Sequence, residues 1–238
     1  MTTRDTLFDG CVILAQPARG EGYRTNVDAL LLADFARARG GAKVAFDLGS
    51  GVGAVALALL HWSACDRAVL VEVDANASAL ARANLEANGW SARAKVIADD
   101  VARAARVHRG EAQLVVCNPP YVAPGRGRVA KVSARARARS GDLASFVVAA
   151  RMLLGRRGRA CFVYPAREML TFFASLRASG LEPKRVRAVR AASTDPARVV
   201  LVEAMAAKPG GLVIEPDLVE REGAGYSPEL ARIVAGAA

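Results

Sequence analysis

The chain has 238 residues, 53% of them apolar and 24% charged, which suits a folded domain with a full core and excludes a disordered tail or a fibre. Its 33 basic residues outnumber its 23 acidic ones, for a net charge of +10, a balance that favours an anionic partner over a basic one. Only five of the 33 are lysine, so a solvated surface rich in arginine and alanine competes with nucleic-acid binding as the meaning of that charge.

The start, MTTRDTLFDG, carries no apolar run of signal-peptide length, and no charge-free apolar stretch in the chain is long enough to span a bilayer. The expectation is a soluble cytoplasmic protein. Cys11, Cys65, Cys117 and Cys161 lie far apart in apolar surroundings. They form no zinc or disulfide pattern and are expected to be small buried hydrophobes, with no metal.

From residue 40 onward, short apolar runs alternate with helical ones. AKVAFDL (42–48) reads as a strand ending in glycines, and VALALL (55–60) as a helix packed on the sheet. AVLVEVD (68–74) is the second strand. Asp74 or Asn76 is placed to cap a helix over 77–89, where Leu80, Ala81, Asn84, Leu85 and Asn88 share a face and Gly89 stops it. AKVIA (94–98) is a strand, 99–107 a helix, AQLVVC (112–117) a strand and 142–154 a helix. RACFVYP (159–165) follows as a strand, then a helix over 166–178 and strands at 184–189 and 198–205.

This alternation predicts an α/β chain with a mostly parallel sheet, helices on both faces and ligands beyond the carboxyl ends of the strands. The connection RAASTDPA (190–197) is too short for a crossover helix, so the last two strands should pair antiparallel. Without repeats or a long linker, residues 1–238 read as a single domain. Its core is 40–206, with residues 1–40 and 207–238 as extensions.

Three motifs carry chemistry. Asp47-Leu48-Gly49-Ser50-Gly51-Val52-Gly53 closes a strand and opens a helix, the setting of a glycine loop that lets a cofactor approach the backbone. Gly49-x-Gly51-x-x-Ala54 satisfies the dinucleotide fingerprint; Asp47 with Gly49, Gly51 and Gly53 resembles the S-adenosylmethionine (SAM) loop of Rossmann-like methyltransferases. Glu72, ending the next strand, is placed to accept both hydroxyls of a ribose, which NAD and SAM share. The cofactor stays open at this point.

Asn118-Pro119-Pro120-Tyr121 follows the fourth strand directly. Two prolines fix the backbone and hold Asn118 away from helical geometry. Such a stiff corner, presenting an amide, carbonyls and an aromatic ring, suits methylation of a planar nitrogen. The Asn118 side-chain oxygen and the Pro119 carbonyl would accept the two N–H groups and turn the nitrogen lone pair toward a methyl donor. Tyr121 would stack on the substrate.

DLGSGVG, VEVDAN and NPPY, in this order and spacing, resemble the SAM-dependent Rossmann-like amino-methyltransferases, and within them the bacterial tRNA(Val) adenine-N6-methyltransferases. The similarity runs from YRTNVDALLL (23–32) to LVI (212–214) and YSPE (226–229). It implies a seven-stranded sheet of order 3-2-1-4-5-7-6 with the last strand antiparallel, and SAM as cofactor. It further implies that Thr25 and Asp28 lie near the methionine end of SAM and that Asp47 and Gly49 line its amino-acid portion. Glu72 would hold the ribose, and Asp100 or the adjacent Asp99 would accept the adenine amino group.

The segment 125–139 adds Arg126, Arg128, Lys131, Arg135, Arg137 and Arg139 with no intervening acid, immediately after the NPPY corner. Its expected role is contact with RNA phosphates. The function expected is transfer of a methyl group from SAM to N6 of adenine in RNA, tRNA before others. Protein glutamine and DNA adenine are the alternative substrates. A non-catalytic binding module is disfavoured by the intact NPPY corner, and an NAD oxidoreductase by the absence of an acid–base residue near the strand ends. His61 and His108 are expected to be packing or surface residues.

Overall fold

A computed structural model describes residues 2–21, 24–119 and 143–237. It begins with a hairpin of β1 (Thr2–Leu7) and β2 (Val12–Pro17), followed by α1 (Val27–Arg37). The core then runs β3 (Ala42–Leu48), α2 (Ala54–His61), β4 (Cys65–Val71), α3 (Ala75–Ala87), β5 (Ala94–Ile97), α4 (Val101–Val107) and β6 (Ala112–Cys117). It continues with α5 (Leu143–Leu153), β7 (Leu154–Pro165), a single 3-10 turn, α6 (Met169–Ala178), β8 (Glu182–Arg190) and β9 (Ala197–Met205). Last come β10 (Val213–Val219), the short pair β11 (Arg221–Glu222) and β12 (Gly225–Tyr226), and α7 (Pro228–Val234).

The central sheet has the order β10-β8-β9-β7-β6-β3-β4-β5. Numbered within the core alone, that is 3-2-1-4-5-7-6, as the resemblance implies. β9 runs antiparallel to both β7 and β8, as the short 190–197 connection requires. The sheet has eight strands, however, because β10 adds in parallel at the β8 edge. VIEPDLV is poor strand sequence, with a proline tolerated only at an edge. Arginines of β8 hold it there: Arg185 pairs with Glu215, Arg187 donates to the Pro216 carbonyl and Arg190 pairs with Asp217.

Inner strands are buried on both faces, so consecutive residues serve different cores. In β6, Leu114 and Val116 face one core with α1, α2 and α3, while Val115 and Cys117 face the other with α4, α5 and α6. Asp74 caps α3 by accepting from the N–H groups of Asn76 and Ala77, and Asp100 caps α4 through Ala102 and Arg103. Cys65, Cys117 and Cys161 are buried as expected. Cys11 is exposed, because it sits in the hairpin turn and not in the sheet.

The hairpin is fastened by polar side chains of α3. Buried Asn84 accepts from the Ala15 N–H at 2.7 Å and donates to the carbonyls of Ala15 and Val52. Asn88 accepts from the Ile13 N–H and donates to its carbonyl. One helix face thus ties the N-terminal extension to the turn before α2.

Arg185, 5% exposed, lies under α1. It contacts Glu203 at 3.3 Å and Glu215 at 3.1 Å, donates to the Phe35 carbonyl, and its guanidinium stands 3.7 Å from the Phe35 ring centre. Removing it leaves Glu203, 1% exposed, with only the more distant Arg159 at 3.7 Å as a counter-charge among the described residues, and Glu215 without its partner. Arg185→Ala should therefore lower stability by about 3 kcal/mol or more in urea titration.

Candidate active site

The site is built where β3, β4 and β6 end together, beside β7, which runs on to Pro165. Leu48 is paired with Val71 on one side and Cys117 on the other, and Cys117 with Phe162. The next residues, Gly49, Glu72 and Asn118, therefore emerge side by side at the carboxyl edge.

Gly49 and Ser50 both donate to the Val71 carbonyl, and Gly53 donates to that of Ser50, closing a tight loop before α2. Gly49, Gly51 and Gly53 have φ of +66°, +55° and +91°, a region costly for other L-residues. At Gly53 a Cβ would come within 2.8 Å of Leu70, and at Gly49 within 3.0 Å of Phe146. Gly51 differs: nothing lies within 4 Å of its Cβ position. Two glycines are thus closely packed against side chains, and the third leaves an open cradle.

Glu72 borders that cradle. One carboxylate oxygen accepts from the Gly51 N–H at 2.8 Å and the other from the Asp74 N–H at 2.8 Å. Each oxygen keeps a lone pair for another donor. Ser50 adds a buried hydroxyl without a hydrogen-bond partner.

Asp47 is 3% exposed and accepts a single backbone hydrogen bond, from Ala56 at 3.2 Å. Burial pushes its pKa up to about 7, against the pull of that bond, and the Glu72 charge pushes the same way. The neighbouring Cys117 thiol is raised too, first by burial and then by the Asp47 charge.

Asn118 is half-buried, and its carboxamide has no hydrogen-bond partner among the described residues; Pro119 behind it is buried. Pro120, Tyr121 and the basic residues Arg126, Arg128, Lys131, Arg135, Arg137 and Arg139 lie outside the described residues.

The remaining expected residues have partners of their own. Asp28 is buried at the start of α1, where one oxygen meets Arg198 and the other accepts from Asn26. Arg198 also pairs with Glu220. Burial opposes the guanidinium charge, yet its hydrogen bonds to Glu220 and Asp28 outweigh this and raise its pKa. Arg198 precedes Val199, which pairs with Pro165 at the end of β7, so this cluster lies at the carboxyl edge. Thr25 is fixed there through its N–H to Gln16. Asp100 spends one oxygen as a helix cap, while Asp99 accepts from the Asp100 N–H and stands 3.6 Å from Arg103. His61 stacks on Phe8, and His108 faces Glu111 at 3.0 Å.

Sequence reasoning missed Asn84, Arg198 and Ser50. Asn84 and Asn88 were visible as polar residues four apart on an otherwise apolar helix face; Arg198 and Ser50 gave no local signal. A cavity of about 330 Å³ bordered by Arg37, Gly41, Trp62 and Ala64 opens at the opposite, amino edge and belongs to none of this. Among the described residues, no helix is long and apolar enough to cross a membrane.

The family profile described as Methyltransferase small domain matches residues 25–163. The chain belongs to this methyltransferase family. It is a SAM-dependent methyltransferase, and the site fits the cofactor: an open cradle at Gly51, a carboxylate beside it and an unpaired hydroxyl at Ser50.

A Trichodesmium erythraeum protein named tRNA1(Val) (adenine(37)-N6)-methyltransferase is 31% identical over 66% of this chain and 67% of its own length. A Serratia proteamaculans protein of the same name is 36% identical over 42% and 39%. The chain thus spans well under two thirds of some of these relatives. Among solved structures, an Agrobacterium tumefaciens protein described as a predicted O-methyltransferase superposes with a TM-score of 0.67 at 21% identity, covering 87% of this chain and 95% of that one. The T. thermophilus 16S rRNA N2 G1207 methyltransferase, solved with AdoMet and guanosine, gives 0.60 at 19%, covering 86% and 50%. Both likenesses establish the Rossmann-like methyltransferase fold.

Asp47 gives the methyltransferase a distinctive pH response. Its pKa is raised from 3.8 to about 7 on folding, so the folded state holds the proton more tightly. Its contribution is therefore favourable below pH 4 and is lost as pH rises to about 7. Asp47→Asn should remove that loss, on the order of 4 kcal/mol at most. Denaturation of both proteins at pH 5 and pH 8, without cofactor, should show the wild type losing stability relative to the variant.

Proposed function

We propose that the protein transfers a methyl group from SAM to the exocyclic N6 of an adenine in tRNA. The observation that carries this reading is the unpartnered carboxamide of Asn118, backed by buried Pro119 and beside the glycine loop. When bound, SAM supplies an electrophilic methyl on its sulfonium sulfur.

An adenine amino group is a poor nucleophile because its lone pair is delocalised into the ring. The Asn118 side-chain oxygen and the Pro119 carbonyl accept its two N–H groups. This draws the nitrogen toward tetrahedral geometry and frees its lone pair. SAM held beside Glu72 and the glycine loop would supply that methyl as its carbon–sulfur bond breaks, Asn118 and Pro119 would hold the nitrogen that takes it, and the proton released would pass to water. No histidine base is required.

Glu72 takes the ribose hydroxyls with the lone pairs left by Gly51 and Asp74. Asp47 and Gly49 line the amino-acid portion, Thr25 and Asp28 frame its methionine end, and Asp99 or Asp100 accepts the adenine amino group. Tyr121 stacks on the substrate base, and the basic residues of 125–139 meet RNA phosphates in a cytoplasmic setting. The relatives' names support the substrate choice.

Labelled SAM offered to unmodified bulk tRNA should yield N6-methyladenosine on nucleoside analysis. Label appearing in protein glutamine or DNA instead would overturn the reading. Asn118→Ala should reduce turnover by roughly 10²–10³-fold with SAM affinity by calorimetry nearly unchanged.

A further inference from the structure

We propose that a second RNA-binding surface lies at the amino edge of the sheet, across the domain from Asn118. It is a set of arginines on the end of α4 and the entry turn of β7, and its ligand is the phosphate backbone of the substrate RNA remote from the methylated base. The proposal rests on the RNA reading above.

Arg106, Arg109, Arg156 and Arg157 are exposed, and none of them makes an ion pair or hydrogen bond among the described residues. The backbones that carry them touch. Gly110 donates to the Met152 carbonyl at 3.0 Å, and a Cβ on Gly155 would stand 2.6 Å from the Gly110 oxygen. The nearby acid Glu111 is engaged by His108. Asp99, at the far end of α4, faces Arg103.

Several other arginines of the fold are put to structural use. Arg159, two residues along the same strand, donates to the carbonyls of Ala36 and Gly40 and lies 3.7 Å from Glu203. Charges left without counter-ions repel one another and stabilise nothing in the folded chain.

The turn that presents two of them is rigid. Gly155 and Gly158 are pressed against the backbone at Gly110 and Ala112, where a Cβ would fall within 2.6 and 2.9 Å of a carbonyl oxygen. Between them Arg157 adopts φ +65°, a left-handed conformation ordinarily left to glycine or asparagine. A strained residue held by its surroundings, carrying an unpaired charge, marks a functional surface more readily than a structural one.

The reach is right for a nucleic acid. The six residues of β6 separate the patch from Asn118 by roughly 20 Å. Exposed Arg103 and Arg106, three apart on α4, lie between the two edges. A stem leaving the catalytic edge along α4 would place its phosphates over Arg109, Arg156 and Arg157, with recognition by shape and charge and not by sequence.

The test compares wild type with R109Q/R156Q/R157Q in the full chain. The substrates are whole unmodified tRNA and a short stem-loop cut from it around the adenine that the wild type methylates. For whole tRNA, KM should rise about tenfold, kcat at saturation should hold, and the slope of log affinity against log salt should fall by about 2–3. The stem-loop KM should not change. R106Q/R109Q, which leaves the β7 turn intact, should shift both quantities the same way if the triple variant folds poorly.

Unchanged KM and salt slope would overturn the proposal, as would an equal KM rise for the stem-loop. Failure of the wild type to methylate any tRNA would instead overturn the RNA reading itself.

Discussion

The site proposed for this enzyme depends on parallel strands stopping at one level. Because Leu48, Val71 and Cys117 are in register, the residue after each meets its neighbours: a glycine, a carboxylate and a carboxamide. A one-residue slip would exchange the two faces of a strand buried on both sides, so core packing enforces this alignment. The site inherits its precision from hydrophobic burial and needs few hydrogen bonds of its own.

That economy is visible at each position. Glu72 is the best-held group, since backbone N–H groups of the loop and of the turn into α3 fix both its oxygens. Asp47 is the least satisfied, buried with a single donor and a carboxyl pushed toward neutrality. A fold optimised for stability alone would place a neutral residue there; perturbed carboxyls concentrate where ligands bind. Asn118 has no hydrogen-bond partner among the described residues, which supports the substrate-holding role proposed for its carboxamide.

Legibility in the sequence followed the range of the interactions. The glycine loop, the position of Glu72 and the Asp74 cap are local patterns, and each was readable because its geometry is set by residues a few positions apart. The strands from 42 to 205 were equally plain, since doubly buried strands read as continuous apolar runs. β10 was not. Its residues have weak strand character, and it is held by arginines of β8 some 30 residues earlier. The clasp of Asp28 by Arg198 joins positions 170 apart and leaves no mark on either segment. The roles of Asn84 and Asn88 show only once the hairpin is in place, although two asparagines on an apolar helix face already posed the question.

Those two asparagines have one more effect. The outer side of β2 is an unpaired strand edge, with N–H and C=O groups of Ile13 and Ala15 that any extended peptide could copy. Carboxamides reproduce a strand's donors and acceptors, so α3 occupies these positions as a partner strand would. A terminal hairpin lacking such a cover invites edge-to-edge self-association. Along β2 that route to aggregation is closed by two asparagine side chains.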